Sequence, residues 1–132
     1  MNIKTSNELV SEALKEIETL EPVEVAELQK KHNCLLIDIR DIRELWREGT
    51  IKDSLHIPRG MIEFWVDPES SYYKEKNIQK ADKVILFCAL GMRSALATKS
   101  LKDMGFKNIA HVNGGFDALK KAKFEIAEVK KK

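Results

Sequence analysis

Cys88 carries the most chemistry in this sequence because of its neighbours. The run Lys83-Val84-Ile85-Leu86-Phe87 leads straight into Cys88-Ala89-Leu90-Gly91-Met92-Arg93-Ser94. Val84 to Phe87 is a continuous apolar stretch rich in β-formers, of the kind a parallel sheet buries on both faces. Cys88 then stands at the carboxyl end of a strand, where open α/β sheets place their ligand crevices. From Ser94 to Gly105 the pattern turns helical, with apolar residues at Ala97, Leu101 and Met104 and a closing glycine. A loop that opens a helix aims backbone N–H groups and the positive end of the helix dipole at its occupant. Both favour an anion there, and both favour thiolate over thiol at Cys88. Gly91 lets the backbone turn inward without a Cβ, and Arg93 can add a charge-assisted contact to a bound oxyanion.

The elements that must hold this loop are legible in outline. Thr5-Ser6-Asn7-Glu8 has the form of a capping box, and Leu9, Val10, Ala13, Leu14 and Ile17 follow at helical spacing, which predicts an amphipathic helix over about 5–17. A short strand over Glu18-Thr19-Leu20 follows, then a helix opened by Pro22 and running toward His32-Asn33. Strands are expected at Leu35 to Ile39, Leu55 to Ile57 and Ile109 to Val112, with helices from Ile42 to Glu48 before Gly49 and from Phe116 to about Lys121. Strands alternating with helices predict an α/β fold with a parallel sheet. The segment from Arg59 to Lys74 is the least patterned. Its aromatics Phe64, Trp65, Tyr72 and Tyr73 read either as packing for a long crossover or as the rim of a pocket for an acceptor. Arg59 is the candidate for an additional anion contact, and it reads equally as a surface arginine.

Four ordered motifs resemble the rhodanese family of sulfurtransferases. Cys88, Gly91, Arg93 and Ser94 match its Cys-x-x-Gly-x-Arg-Ser loop, and Leu35-Leu36-Ile37-Asp38-Ile39-Arg40 resembles its strand ending in Asp-x-Arg. Gly49 to Pro58 resembles its Gly-His-Ile corner, with Thr50 in place of histidine and Ser54 in place of alanine, two positions expected to serve packing. Val112-Asn113-Gly114-Gly115-Phe116 resembles its last strand and glycine turn. The resemblance covers roughly residues 16–124. It implies a three-layer α/β/α fold with a five-stranded parallel sheet in the order 3-2-4-5-1, as one domain over 1–132 with a basic tail at 125–132.

The resemblance also implies a chemistry. Cys88 would attack the outer sulfur of thiosulfate or a persulfide, and the resulting Cys88 persulfide would pass its sulfur to cyanide, a thiol or a protein acceptor. The substrate cradle would be Ala89, Leu90, Gly91, Met92, Arg93 and Ser94, aided by Arg59. Asp38 and Arg40 would brace the loop, for instance through an Arg40 to Glu44 contact. Six residues run from Cys88 to Arg93 inclusive, a length that in the family the loop resembles implies a pocket sized for a sulfane sulfur, whereas the related dual-specificity phosphatases carry one more to enclose phosphate. Ala89, Leu90 and Met92 are apolar, so attraction for a dianion would rest on backbone N–H groups, the helix terminus, Arg93 and Arg59. That composition keeps open a persulfide carrier within a sulfur relay, with little turnover on free thiosulfate.

Composition narrows the rest. The 132 residues hold 33% charged and 43% hydrophobic side chains, an ordinary globular balance, and a net charge of +2 gives no argument for nucleic acid. No apolar run approaches the roughly 18 residues of a membrane span, and the amino terminus lacks a signal-peptide core, giving a cytoplasmic expectation. Lys130-Lys131-Lys132 reads as a solubilising, frayed end. Cys34 and Cys88 fall at opposite ends of their strands, about 15 Å apart, too far for a disulfide. His32, His56 and His111 show no metal-ligand spacing with the cysteines, so neither metal nor cofactor is expected.

Overall fold

The computed structural model describes residues 2–132. Its first helix, α1 (Ser6–Glu16), starts where Thr5 Oγ1 accepts the Glu8 N–H at 3.1 Å while the Glu8 carboxylate accepts the Thr5 N–H, a reciprocal cap. It leads into β1 (Glu18–Leu20), and Pro22 in the first turn opens α2 (Pro22–Lys31). The strand β2 (Cys34–Asp38) then runs into α3 (Ile42–Glu48), capped by Asp41 and terminated by Gly49 at φ +78°. Two short strands follow, β3 (Thr50–Ile51) and β4 (Leu55–His56).

The crossover from β4 is more ordered than its sequence suggests. A 3-10 turn over Arg59–Met61 feeds α4 (Ile62–Val66), and a second 3-10 turn covers Lys76–Gln79. Ile62, Val66 and Ile78 are buried and anchor the segment, which is why it holds structure without clear periodicity. The chain then forms β5 (Lys83–Phe87), α5 (Met92–Asp103), β6 (Ile109–Val112), α6 (Gly115–Lys121) and β7 (Ile126–Ala127).

Five strands pair in the order β1-β6-β5-β2-β4, all parallel. Counting only the strands of this sheet, the order read from β4 is 3-2-4-5-1. The central strand β5 pairs with β2 from Cys34↔Lys83 to Asp38↔Phe87 and with β6 from Val84↔Ile109 to Leu86↔His111. Alternation along these strands feeds two apolar layers. Ile37, Val84, Leu86 and Ile109 pack toward Ala97 and Leu101 of α5, while Leu36, Ile85, Phe87 and Ala110 pack toward Val25 of α2 and Leu119 of α6. Cys34 and Cys88 are both free thiols, at opposite ends of the β2–β5 pair.

The start of the tail has a structure that the sequence reading did not assign. Ile126 and Ala127 add antiparallel to Thr50 and Ile51 as a separate two-stranded sheet, and Lys131 lies 5.2 Å over the Trp46 ring. Two apolar residues ahead of the lysines hold the start of the tail against the β2–β4 connection, while residues 128–132 take no regular secondary structure and Lys130, Lys131 and Lys132 stay exposed.

Candidate active site

β5 is buried from Val84 to Phe87, so Cys88 leaves the sheet at its carboxyl edge with only 1% of its surface exposed. The chain then turns through Gly91 at φ +115°, a conformation that a residue with Cβ adopts only under strain. This turn brings the amides back to the sulfur. The Gly91 N–H donates to Cys88 Sγ at 3.2 Å and the Ser94 N–H donates at 3.4 Å, while Ser94 Oγ lies 3.5 Å away. The helix opens at Met92, two residues earlier than its apolar pattern predicts, and this places Ser94 in the first turn. Two backbone N–H groups from one loop thus converge on a single sulfur.

The loop is held from the other side by α6. Phe116 N–H donates to the Cys88 carbonyl at 2.7 Å and Asp117 N–H to the Ala89 carbonyl at 3.3 Å. Gly114 and Gly115 both have positive φ, at +79° and +57°. A Cβ on Gly115 would sit 2.4 Å from the Cys88 carbonyl oxygen, so the glycine turn is what permits the two segments to approach.

Arg93 is half-buried, and its guanidinium meets Glu44 of α3 in a two-pronged pair at 2.8 and 3.0 Å. Its hydrogen bonds to Arg93 hold the Glu44 carboxyl below its ordinary value, and those bonds in turn raise Arg93. This overturns the Arg40 to Glu44 contact expected from the sequence. Glu44 also accepts the Asp41 N–H at 3.0 Å as the third residue of α3, which turns it toward the loop. Arg40 lies beneath, fully buried, and its hydrogen-bonded partners are Asp38 (2.9–3.2 Å), Glu48 (2.9 Å) and the Gly49 carbonyl (2.7 Å). Its guanidinium also stacks 4.1 Å from the centre of the Phe116 ring. Asp38 and Arg40 therefore tie β2, the α3 terminus and α6 together under the Cys88 loop.

Thr50 and Ser54 do more than pack. Thr50 Oγ1 donates to Asp38 at 2.7 Å, and Ser54 Oγ donates to the Ile51 carbonyl at 2.6 Å while lying 3.1 Å from Thr50 Oγ1. Arg59 is brought to the same edge of the sheet by its N–H, which donates to the Ile39 carbonyl at 3.0 Å. Its guanidinium bonds Glu63 at 3.1 and 3.4 Å, one helical turn on, rather than the Cys88 loop. Leu90 and Met92 project outward, 64% and 55% exposed. In the crossover, Phe64 and Tyr72 form an exposed edge-to-face pair, and Lys74 lies 4.3 Å over Trp65.

One residue joined to the sulfur through Ser94 was missed by reading along the chain. His111 of β6 is 2% exposed, its Nδ1 lies 2.9 Å from Ser94 Oγ and its Nε2 lies 3.0 Å from Thr19 Oγ1. Burial pushes its imidazole down to about 4, so the ring is neutral at pH 7. The only signal in the sequence is a polar residue inside the apolar strand Ile109-Ala110-His111-Val112.

The chain is similar to known proteins over most of its length. A Mus musculus protein named thiosulfate sulfurtransferase/rhodanese-like domain-containing protein 3 is 29% identical over 111 residues, covering 81% of this chain and 69% of the relative. The tRNA uridine(34) hydroxylase of Prochlorococcus marinus (strain MIT 9312) is 30% identical over 125 residues, 87% of this chain, which spans only 39% of that enzyme. Among solved structures, a Rhodopseudomonas palustris CGA009 protein of unknown function, described as a possible tyrosine phosphatase, superposes with a TM-score of 0.86 at 41% identity. That superposition covers 96% of this chain and 97% of the other. The rhodanese-like domain model matches residues 21–122, well over half the sequence, and the chain belongs to that family.

Proposed function

We propose that this protein is a sulfurtransferase that carries a sulfane sulfur as a persulfide on Cys88. The observation that carries the reading is the paired donation of the Gly91 and Ser94 amides to a buried cysteine sulfur at the mouth of a parallel sheet. In the first half-reaction the Cys88 thiolate attacks the outer sulfur of the donor. With thiosulfate, a new Sγ–S bond forms, the donor S–S bond breaks, and sulfite leaves with the electron pair. In the second, an acceptor anion attacks the outer sulfur of the persulfide and Cys88 leaves again as thiolate. The loop amides and Arg93 stabilise negative charge at each stage, so no separate base is required.

The same geometry argues against phosphate-ester chemistry, although the Rhodopseudomonas neighbour is described as a possible phosphatase. Six residues separate the two ends of the loop inclusively, Cys88 to Arg93, and two loop amides already point at the sulfur. A second reading, a persulfide carrier with slow turnover on free thiosulfate, is favoured by one feature. Leu90 and Met92 expose apolar surface beside the site, and Arg93 is already engaged by Glu44.

The test is intact mass before and after incubation with thiosulfate, then after cyanide, with Cys88→Ser as control. Gain of one sulfur on the parent alone, discharged as thiocyanate, supports transfer through Cys88. Loading from a protein persulfide but not from thiosulfate selects the carrier. No loading from either, with hydrolysis of an aryl phosphate, overturns the proposal.

A further inference from the structure

Four polar groups run in a line from the reactive sulfur to the open edge of the sheet. Cys88 Sγ lies 3.5 Å from Ser94 Oγ, Ser94 Oγ lies 2.9 Å from His111 Nδ1, and His111 Nε2 lies 3.0 Å from Thr19 Oγ1. The first three are buried, whereas Thr19 sits exposed on β1, the edge strand paired in register with His111. Alternation explains the alignment. Leu86 is the register partner of His111, and Cys88, two residues on, faces the same side of the sheet, the side covered by α5.

A neutral imidazole has one donor and one acceptor, so the line has two states in which every link points the same way, with the Gly91 carbonyl, 3.3 Å from Ser94 Oγ, as a competing acceptor for that hydroxyl. When the sulfur is a thiol it donates to Ser94 Oγ, Ser94 donates to Nδ1, and Nε2–H donates to Thr19. When the sulfur is an anion it can only accept, and every bond reverses: Thr19 donates to Nε2, Nδ1–H donates to Ser94, and Ser94 donates to the sulfur. We infer that His111 is a positioning residue whose change of tautomer makes the Ser94 hydroxyl a third hydrogen-bond donor to the Cys88 anion, beside the Gly91 and Ser94 amides.

The protons balance link by link. The thiol proton passes to Ser94 Oγ, the Ser94 proton to Nδ1, the Nε2 proton to Thr19 Oγ1, and the Thr19 proton to solvent at the sheet edge. Negative charge is left on the sulfur and none on the ring. The inference deepens the sulfurtransferase reading, since a persulfide anion would use the same donor, but it concerns the sulfur itself and is measurable without any sulfur donor. The charged group that faces Cys88 is Arg93 of α5, which is itself paired with Glu44 of α3 and has Asp38 of β2 as a further charged neighbour. These stay in place in all the variants below.

The experiment is alkylation of Cys88 by iodoacetamide, resolved from Cys34 by peptide mass spectrometry, at neutral and at high pH. His111→Leu and Ser94→Ala should slow alkylation at neutral pH by roughly tenfold, the worth of one hydrogen bond to a charged group. Their rates should approach the parent's at high pH, where every variant is thiolate. His111→Asn offers an amide N–H in the place of Nδ1 and should stay within about threefold of the parent. Thr19→Val, at an exposed position, should slow the reaction in the same direction by a smaller factor; if His111→Leu fails to fold, it and Ser94→Ala decide the matter. Unchanged neutral-pH alkylation in Ser94→Ala or folded His111→Leu, or a His111→Asn variant as slow as His111→Leu, overturns the inference. Thiosulfate loading measured alongside separates the two readings. Altered alkylation without loading removes the proposed donor and keeps the relay, whereas loading with unaltered alkylation does the reverse.

Discussion

The Glu44 carboxylate holds the Arg93 guanidinium through both oxygens, at 2.8 and 3.0 Å, across 49 residues of sequence. α3 thus reaches over the Cys88 loop and fixes the one basic side chain the loop contains. A planar fork suits this task in a way an ammonium does not. Arg93→Ala should slow sulfur loading of Cys88 by roughly 10²–10³, the usual effect of removing one anion-stabilising donor. Arg93→Lys keeps the charge but not the fork, and should recover only part of that loss, which stopped-flow or quenched-flow mass analysis of loading would read. Equal rates in Arg93→Lys and the parent would mean that charge alone suffices.

The loop itself could be read from its residues, because strand, cysteine, glycine and arginine are contiguous and each has a local physical role. The sheet was legible for the same reason, through contiguous apolar runs at β2, β5 and β6. What escaped were relationships set by tertiary approach. Which glutamate meets Arg93, and which meets Arg40, depends on how α3 sits over the loop: Glu44 and Glu48 are one turn apart, and sequence spacing alone favours neither. The β3–β7 pair was missed because two-residue strands carry no periodicity, and α4 because five residues are too few to show one. His111 was visible only as a polar residue in an apolar strand; its partners come from β1 and α5.

The glycine turn before α6 gives a second prediction. Gly115 has φ +57°, and a Cβ there would fall 2.4 Å from the Cys88 carbonyl oxygen and 2.7 Å from that of Ala89. Gly115→Ala must therefore pay for left-handed backbone and for displaced loop carbonyls, on the order of 2–5 kcal/mol together. Because the displaced atoms belong to the active loop, any folded fraction should load sulfur up to about 100-fold more slowly. Gly105→Ala is the control: its φ of +109° also resists a side chain, but nothing lies within 4 Å of its Cβ. It should destabilise less and leave loading intact, as thermal melts and loading rates together would establish.

Arg40 gives a third. It is fully buried, paired with fully buried Asp38 and bonded to Glu48 and the Gly49 carbonyl. Arg40→Met removes the partner of a buried carboxylate and should cost roughly 3–5 kcal/mol in denaturant unfolding, because Asp38 is left uncompensated. The double variant Arg40→Met, Asp38→Leu removes both charges and should recover a large part of that loss. If it is as unstable as the single variant, the cost lies in packing around Phe116, over which Arg40 stacks at 4.1 Å, and not in the stranded charge.

Acid stability gives the fourth prediction, through His111. Burial holds its folded-state value at about 4, against an ordinary 6.5, so between these values the unfolded chain binds a proton that the folded chain refuses. Its contribution is complete above about pH 6.5, falls as pH drops toward 4, and is flat below. Carboxylates act lower down. Hydrogen bonds from Arg43 hold Asp41 at about 2, below its ordinary 3.8, and Arg93 holds Glu44 below its ordinary 4.5, so both lose their contribution only at more acid pH. The interval from pH 7 to 5 therefore lies above the loss of these two carboxylates, and comparison with a variant lacking the ring reads His111 within it. Over it, the parent should lose about 2 kcal/mol more unfolding free energy than His111→Asn, which has no proton to gain. Urea melts at the two pH values read the difference directly; parallel losses in parent and variant would place the pH sensitivity elsewhere and show that the buried ring accepts its proton without unfolding.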